Sequence, residues 1–321
     1  MQMLNYILGK TRRWQVGELL EECGAVGQAL SPPVAGASMY RATLTLDAKQ
    51  IASFHENGFV VHPTVSTASE AARLHSLLDR LLKSKAGIHE GAQFDMLNGD
   101  DLRSPGSSVQ ICDPENFEPR LRHTLFGTNA LAIAKQLLGP RAQPIFSHAI
   151  FKPAHYGAPT PWHQDDAFHA DFEYPQISLW MPLQNVTATN GCMHFIPGSH
   201  RGELLAHRCY NNDPHANALE CFADIDLSNA VACPLLAGGC TIHTGRTLHY
   251  AGGNETDAGR WAYILAFYLP PRRRRVHAVP WLDLTRTAKM ARRRAWLRRG
   301  GFLVHWWRTE FSNRLRRALV G

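Results

Sequence analysis

PWHQDDAFHADFEYPQISLWMPLQNVTATNGCMHFIPGSHR, residues 161–201, and GGCTIHTGRTLHYAGGNETDAGRWAYILAFY, residues 238–268, decide the fold. Short apolar or alternating runs, Gln176 to Leu183, Met193 to Ile196, Thr241 to His243 and Tyr263 to Leu269, are separated by Gly, Pro and Asn. Runs of this length between turn residues read as strands, because alternate side chains fill one face and each turn needs residues that bend the backbone. The same character begins at Pro144 to Phe151. Several short strands at such spacing predict a mainly β fold of sandwich or barrel type.

Working outward, the preceding hundred residues change period. Thr45 is expected to cap a short amphipathic helix that runs to about Asn57 and stops at Gly58, feeding the apolar strand Phe59-Val60-Val61. A second helix starts at Ser66 or Thr67 and ends near Leu82, with Ala71, Leu74, Leu77, Leu78, Leu81 and Leu82 forming a core stripe. Residues 86–116 read as a long loop, 119–138 as a helix ended by Gly139-Pro140. Ahead of these elements, residues 1–44 read as a peripheral leader containing the linker-like Ser-Pro-Pro-Val-Ala-Gly-Ala-Ser at 31–38. The expected organisation is therefore leader 1–44, β-rich domain 45–271 with its helical N-terminal part, and tail 272–321.

Charge sets the tail apart. From Arg272 to Gly321 fifteen Lys and Arg face only Asp283 and Glu310, so with +7 for all 321 residues the first 271 are net acidic. Leu303, Trp307, Phe311, Leu315 and Leu319 recur every four residues, making the tail a basic amphipathic helix. Such a helix packs its stripe on the domain, lies on an anionic membrane surface, or meets an acidic carrier partner. No nucleic-acid module is visible, and no nucleic-acid partner is expected. Seven scattered cysteines without a C-x-x-C pair, no signal peptide and no long apolar run predict a cytoplasmic protein, peripheral on the inner membrane surface if the tail engages lipid.

His163-Gln164-Asp165 is the first chemical signal. Residues two apart on a strand share a face, so imidazole and carboxylate would converge. Two neutral histidines and one carboxylate on one face of an iron(II) octahedron leave open positions for oxygen activation. The third ligand must come from a distant strand. His249 is the candidate, placed at the end of an apolar strand before the Gly252-Gly253-Asn254 turn. A hairpin through that turn would set Arg260 beside it, presenting a charged fork to the far carboxylate of a metal-chelating 2-oxoglutarate. Asp166 and His243 are rivals for Asp165 and His249, His148 is a candidate lining residue of the 2-oxoglutarate pocket, and His155, His169, His194 and His200 read as packing or strand-end residues.

Residues 161–201 together with 238–268 resemble the phytanoyl-CoA dioxygenase family, most specifically in N-G-x-M-x-F-I-P-G-S-H-R at 190–201. Taken with E-N-G-F-V-V at 56–61, the resemblance covers roughly residues 45–270. It implies a double-stranded β-helix, the cupin-like jelly roll, with flanking helices. It implies His163, Asp165 and His249 as iron ligands, Arg260 as the grip on 2-oxoglutarate, and Trp180 and Gln164 in the cofactor pocket. Ala251 stands where the family often has Ser, and the family's upstream lysine has no assigned counterpart. Halogenases of this kind replace the carboxylate ligand with a small residue; Asp165 is retained, which favours hydroxylation of an unactivated C–H bond in a small-molecule or lipid-like substrate, with O2 as oxidant and succinate and CO2 released. Two other readings share the ligand set: a metal lyase or isomerase without O2 chemistry, and a non-catalytic metal-binding protein.

Overall fold

The computed structural model describes residues 40–97, 107–168, 172–270, 273–274 and 295–296. The leader before Tyr40, the linker at 31–38, the amphipathic stripe of the tail and His169 lie outside those residues. In chain order the elements are α1 (Ala48–Asn57), β1 (Phe59–His62), α2 (Ala68–Lys83), β2 (Gln93–Asp95), β3 (Val109–Cys112), α3 (Leu125–Leu138), β4 (Gln143–Lys152), β5 (Thr160–His163), β6 (Phe172–Glu173), β7 (Gln176–Pro182), β8 (Met193–Phe195), β9 (His207–Cys209), β10 (Leu219–Cys221), β11 (Val231–Cys233), β12 (Cys240–Thr244), β13 (His249–Ala251), β14 (Arg260–Tyr268) and β15 (Arg273–Arg274). No helix among the described residues is long and apolar enough to cross a membrane.

Two antiparallel sheets form the jelly roll. The larger has the order β1-β12-β7-β14-β4-β3-β2 and the smaller β11-β8-β13-β5; β9 pairs with β10 and β6 with β15. Alternation along the central strands sorts their side chains into two cores. Ile177, Leu179 and Met181 of β7, with Trp261 and Tyr263 of β14, pack on Leu74, Leu78, Phe126 and Ile133 of α2 and α3. Trp180 of β7, with Ala262 and Ile264 of β14, meets Met193, Phe195, Cys233 and Ala251 of the smaller sheet. Every residue of β7 is buried, which is why QISLWMP reads as nearly continuous apolar sequence.

Local chemistry moves several expected boundaries. Asp47, not Thr45, caps α1: its carboxylate accepts from Gln50 N while the Gln50 side chain accepts from Asp47 N, both at 2.9 Å. Gly58 ends that helix in the left-handed region at φ 81°. Thr67 caps α2 as expected. The helix expected over 119–138 begins only at Leu125, because Pro119–Leu121 closes a 3-10 turn and Thr124 supplies the cap. The expected loop at 86–116 holds β2 and β3, whose register runs Gln93 to Ile111.

Glu70 is a fastener invisible to periodicity. Its buried carboxylate accepts from Leu125 N and Phe126 N at 2.9 and 2.8 Å, from Ser66 Oγ at 2.6 Å and from Arg73 at 3.1 Å. It thereby satisfies the open N–H groups of α3 from a side chain of α2. Glu70→Ala leaves these donors buried and unpaired, and we expect a loss of about 3 kcal/mol in the unfolding free energy by urea titration. A loss under about 1 kcal/mol would mean that water replaces the carboxylate.

Candidate active site

His163 and His249 face each other across the β5–β13 pair, and His249 also pairs in register with Phe195 of β8. Their rings stand 4.1 Å apart, centroid to centroid. Each ring is oriented by the backbone two residues earlier: His163 Nδ1 lies 2.7 Å from Pro161 O, and His249 Nδ1 lies 2.9 Å from Thr247 O. A neutral imidazole that donates through Nδ1 keeps its Nε2 lone pair for a metal. Both Nε2 atoms point at Asp165 Oδ1, at 3.6 Å from His163 and 3.5 Å from His249. The three ligand atoms lie within 4.8 Å of one another, so one ion can take all three.

Asp165 reaches this position by a route the strand argument misses. β5 ends at His163, and Asp165 opens a 3-10 turn, Asp165–Phe168. The turn, not strand alternation, brings the carboxylate beside the imidazoles. Gln164 is fully buried and its amide is spent on backbone: Nε2 donates to Arg246 O at 2.7 Å and Oε1 accepts from Leu205 N at 2.9 Å. Expected as a pocket contact, it instead fixes the 203–207 and 245–247 segments around the cluster. Asp166 points elsewhere, accepting from Gln176 Nε2 at 3.2 Å and Arg246 Nε at 3.1 Å.

Electrostatics suit a cation. Burial alone would raise the Asp165 carboxyl, but the imidazoles of His249, His163 and His243 that surround it hold it well below the usual carboxylate range. Burial, with His163 and His243 nearby, pushes His249 well below the usual imidazole value, keeping it neutral. A deprotonated carboxylate with a neutral histidine is the state a divalent metal requires.

Arg260 lies in the same interior but not by the expected hairpin. β13 belongs to the smaller sheet and β14 to the larger, so residues 252–259 cross between sheets. Nor does His249 end the apolar strand; that strand, β12, stops at Thr244, and a turn intervenes. Closing a sandwich requires such crossings, and a tight hairpin would have kept both strands in one sheet. The register partner of Arg260 is Lys152, at the end of β4.

Arg260 is 1 % exposed, its Nε donates to Asn190 O at 3.2 Å, and neither terminal nitrogen has a hydrogen-bond partner among the described residues. Its guanidinium lies 5.5 Å from the Trp180 ring centre, a cation–π contact. Burial pulls the Arg260 pKa down to about 9, which still leaves it charged at neutral pH. A buried charge with two bare N–H edges is costly until an anion meets it. Glycine makes the approach possible: Gly191 has φ 88°, and a Cβ there would stand 2.9 Å from Arg260 NH2 and 2.5 Å from Gly252 O.

Lys152, which no sequence motif singles out, enters the site from the end of β4. It is fully buried, and Nζ donates to Ala251 O and Gly252 O at 3.0 and 2.7 Å. Burial, and then the charge of Arg260, push its pKa well down. The available signal is a lysine closing the apolar run Pro144 to Phe151. Asn254 secures the crossing, its Nδ2 donating to Lys152 O, Pro153 O and Ala258 O at 3.1, 3.0 and 2.8 Å.

The remaining histidines separate from the cluster. His155 pairs with Asp257 at 3.2 Å, His194 packs edge-on against Tyr250, and His200 Nε2 lies 3.1 Å from His55 O. His148 stacks on Phe146. His207 is a neighbour that the sequence did not single out: its Nε2 accepts from Gln164 N at 3.1 Å, and burial lowers its pKa to about 4.

The phytanoyl-CoA dioxygenase (PhyH) family model matches residues 54–262, which spans both sheets and every residue of the cluster. The chain belongs to this family. It is an Fe(II)- and 2-oxoglutarate-dependent dioxygenase that uses O2. Of the three readings of the ligand set, the oxygenase is the one that family membership carries. Phytanoyl-CoA dioxygenase domain-containing protein 1 of Bos taurus is 24 % identical over 261 residues, covering 68 % of this chain and 88 % of the relative. A probable alpha-ketoglutarate-dependent hypophosphite dioxygenase of Stutzerimonas stutzeri is 24 % identical over 226 residues, with 68 % and 78 % covered. Among solved structures, EvdO2 from Micromonospora carbonacea var. aurantiaca complexed with 2-oxoglutarate is 34 % identical, with TM-score 0.63, over 76 % of this chain and all of that one. PhyH relatives of these kinds act on small molecules, and a small-molecule substrate is the class supported here.

Proposed function

We propose that this PhyH-family dioxygenase removes hydrogen from an unactivated C–H bond of a small-molecule or lipid-like substrate and hydroxylates it. His163, Asp165 and His249 would hold the iron, and Arg260 with Lys152 would hold the far carboxylate of 2-oxoglutarate. Iron would activate O2 with 2-oxoglutarate as the co-reductant, one oxygen atom going to the substrate and the other to succinate, with CO2 released. The protein's own part is geometric: it fixes three donors on one side, keeps them deprotonated, and buries the anion anchor away from water.

The observation that carries this reading is Arg260. A guanidinium buried beside Trp180 with two unpartnered nitrogens is a site for a carboxylate, and the family's co-substrate has one to offer. Phe168 is 38 % exposed, and its ring stands edge-on to His163 at 5.9 Å, offering an apolar contact at the cluster's outer side for the substrate. Retention of Asp165 supports hydroxylation, since the carboxylate occupies the ligand position that a halide would need.

The test is anaerobic addition of iron(II) and then 2-oxoglutarate to the purified protein. We expect the weak visible metal-to-ligand charge-transfer band of the chelate, and its loss in His163→Ala. A folded, iron-loaded protein without the band and without 2-oxoglutarate binding would overturn the assigned ligand and anchor residues. Product analysis with candidate substrates then distinguishes hydroxylation from another oxidation.

A further inference from the structure

His243 is 2 % exposed in the sandwich interior, and neither of its ring nitrogens has a hydrogen-bond partner among the described residues. β12 pairs with β7 so that His243 lies directly opposite Ser178. Both inward side chains address one atom. Ser178 Oγ donates to Asp165 Oδ2 at 2.6 Å, and His243 Nε2 stands 3.5 Å from that same oxygen. Asp165 Oδ1, by contrast, is the oxygen that faces His163 and His249. The carboxylate is thus divided, one oxygen toward the metal ligands and one toward Ser178 and His243.

That division matters for a six-coordinate iron. A 2-oxoglutarate bound through two atoms and an O2 position leave room for only three protein donors. Were Asp165 to swing its second oxygen onto the metal, it would fill a position the co-substrate needs. We infer that His243 is a positioning residue which, with Ser178, holds Asp165 Oδ2 as a hydrogen-bond acceptor and so keeps Asp165 a one-oxygen ligand. A neutral imidazole has one N–H, and placing it on Nε2 gives His243 the acceptor that it otherwise lacks. Packing keeps the ring in place: its centroid lies 4.3 Å from that of His249 and 5.2 Å from that of Phe195, which itself stacks on Phe59 at 4.5 Å. His243 is therefore not a spare ligand. The inference rests on the ligand set proposed above.

The experiment uses the full chain as wild type, His243→Phe, His243→Asn and Ser178→Ala, loaded with cobalt(II), whose visible absorption reports coordination number. Each is then titrated with 2-oxoglutarate. We expect His243→Phe to bind cobalt with an altered spectrum before any 2-oxoglutarate is added, and to bind 2-oxoglutarate about tenfold more weakly, the scale at which partners of metal ligands act. His243→Asn returns an N–H donor and recovers part of the loss. Should His243→Phe fail to fold, Ser178→Ala removes the other donor to the same oxygen with little loss of volume and is read in its place. Wild type that binds neither cobalt nor 2-oxoglutarate overturns the ligand set and this inference with it. Wild type that binds both, with folded variants matching it in spectrum and affinity, overturns this inference alone and makes His243 a core residue.

Discussion

His249→Ala is expected to abolish iron-dependent turnover while leaving the jelly roll folded. Partners outside the ligand shell are worth ~10–100-fold in metal affinity, so loss of a ligand should cost at least about 100-fold in iron binding. Asp165→Ala and His163→Ala should match it, because each removes one of three donors that converge within 4.8 Å. The comparison with His243→Ala is the informative one. His243 is as buried as His249 and its ring is close to it, yet only His249 has its Nδ1 engaged by a backbone carbonyl and its Nε2 turned to Asp165 Oδ1. Metal titration and turnover of both variants decide the matter. Normal activity in His249→Ala would transfer the ligand role to His243.

Arg260→Met should separate co-substrate binding from both metal binding and stability. Truncating one side of a buried charge pair costs ~2–5 kcal/mol, and at 1.4 kcal/mol per decade this means at least about a 30-fold loss of 2-oxoglutarate affinity. Iron affinity in the absence of 2-oxoglutarate should hardly move, because Arg260 is not among the metal donors. Stability provides the sharper discrimination. Arg260 NH1 and NH2 are buried without partners, so methionine relieves an uncompensated charge and loses mainly the Nε bond to Asn190 O. The thermal midpoint without co-substrate should therefore hold or rise, and the stabilisation that added 2-oxoglutarate gives wild type should disappear. A clear drop in midpoint without co-substrate, at unchanged 2-oxoglutarate affinity, would make Arg260 a structural residue.

Buried cations without carboxylate partners recur at this end of the site. Among the described residues Lys152 Nζ bonds the carbonyls of Ala251 and Gly252, and its register partner is Arg260. The fold surrounds these two basic side chains with backbone from the 190–191 and 251–253 turns, and under the proposed function it gains from them when the 2-oxoglutarate carboxylate binds. On the proposed function this is a local sacrifice of stability at the co-substrate anchor.

The sequence by itself determined the strand-rich class, the helices that cover the larger sheet, and the histidines and carboxylate of the metal cluster. These are legible because alternation, caps and residue type are local properties: Ile177, Leu179 and Met181 face one core whatever lies across from them. Tertiary structure alone decided how the parts meet. Asp165 converges through a 3-10 turn, Arg260 arrives by a crossing between sheets, and Gln164 turns its amide to the backbone. Lys152 and His243 gain their places from cross-strand register, Lys152 opposite Arg260 and His243 opposite Ser178, pairs separated by 108 and 65 positions in the chain. Register is fixed by which faces can be buried together, a long-range condition of packing that no short stretch of sequence contains.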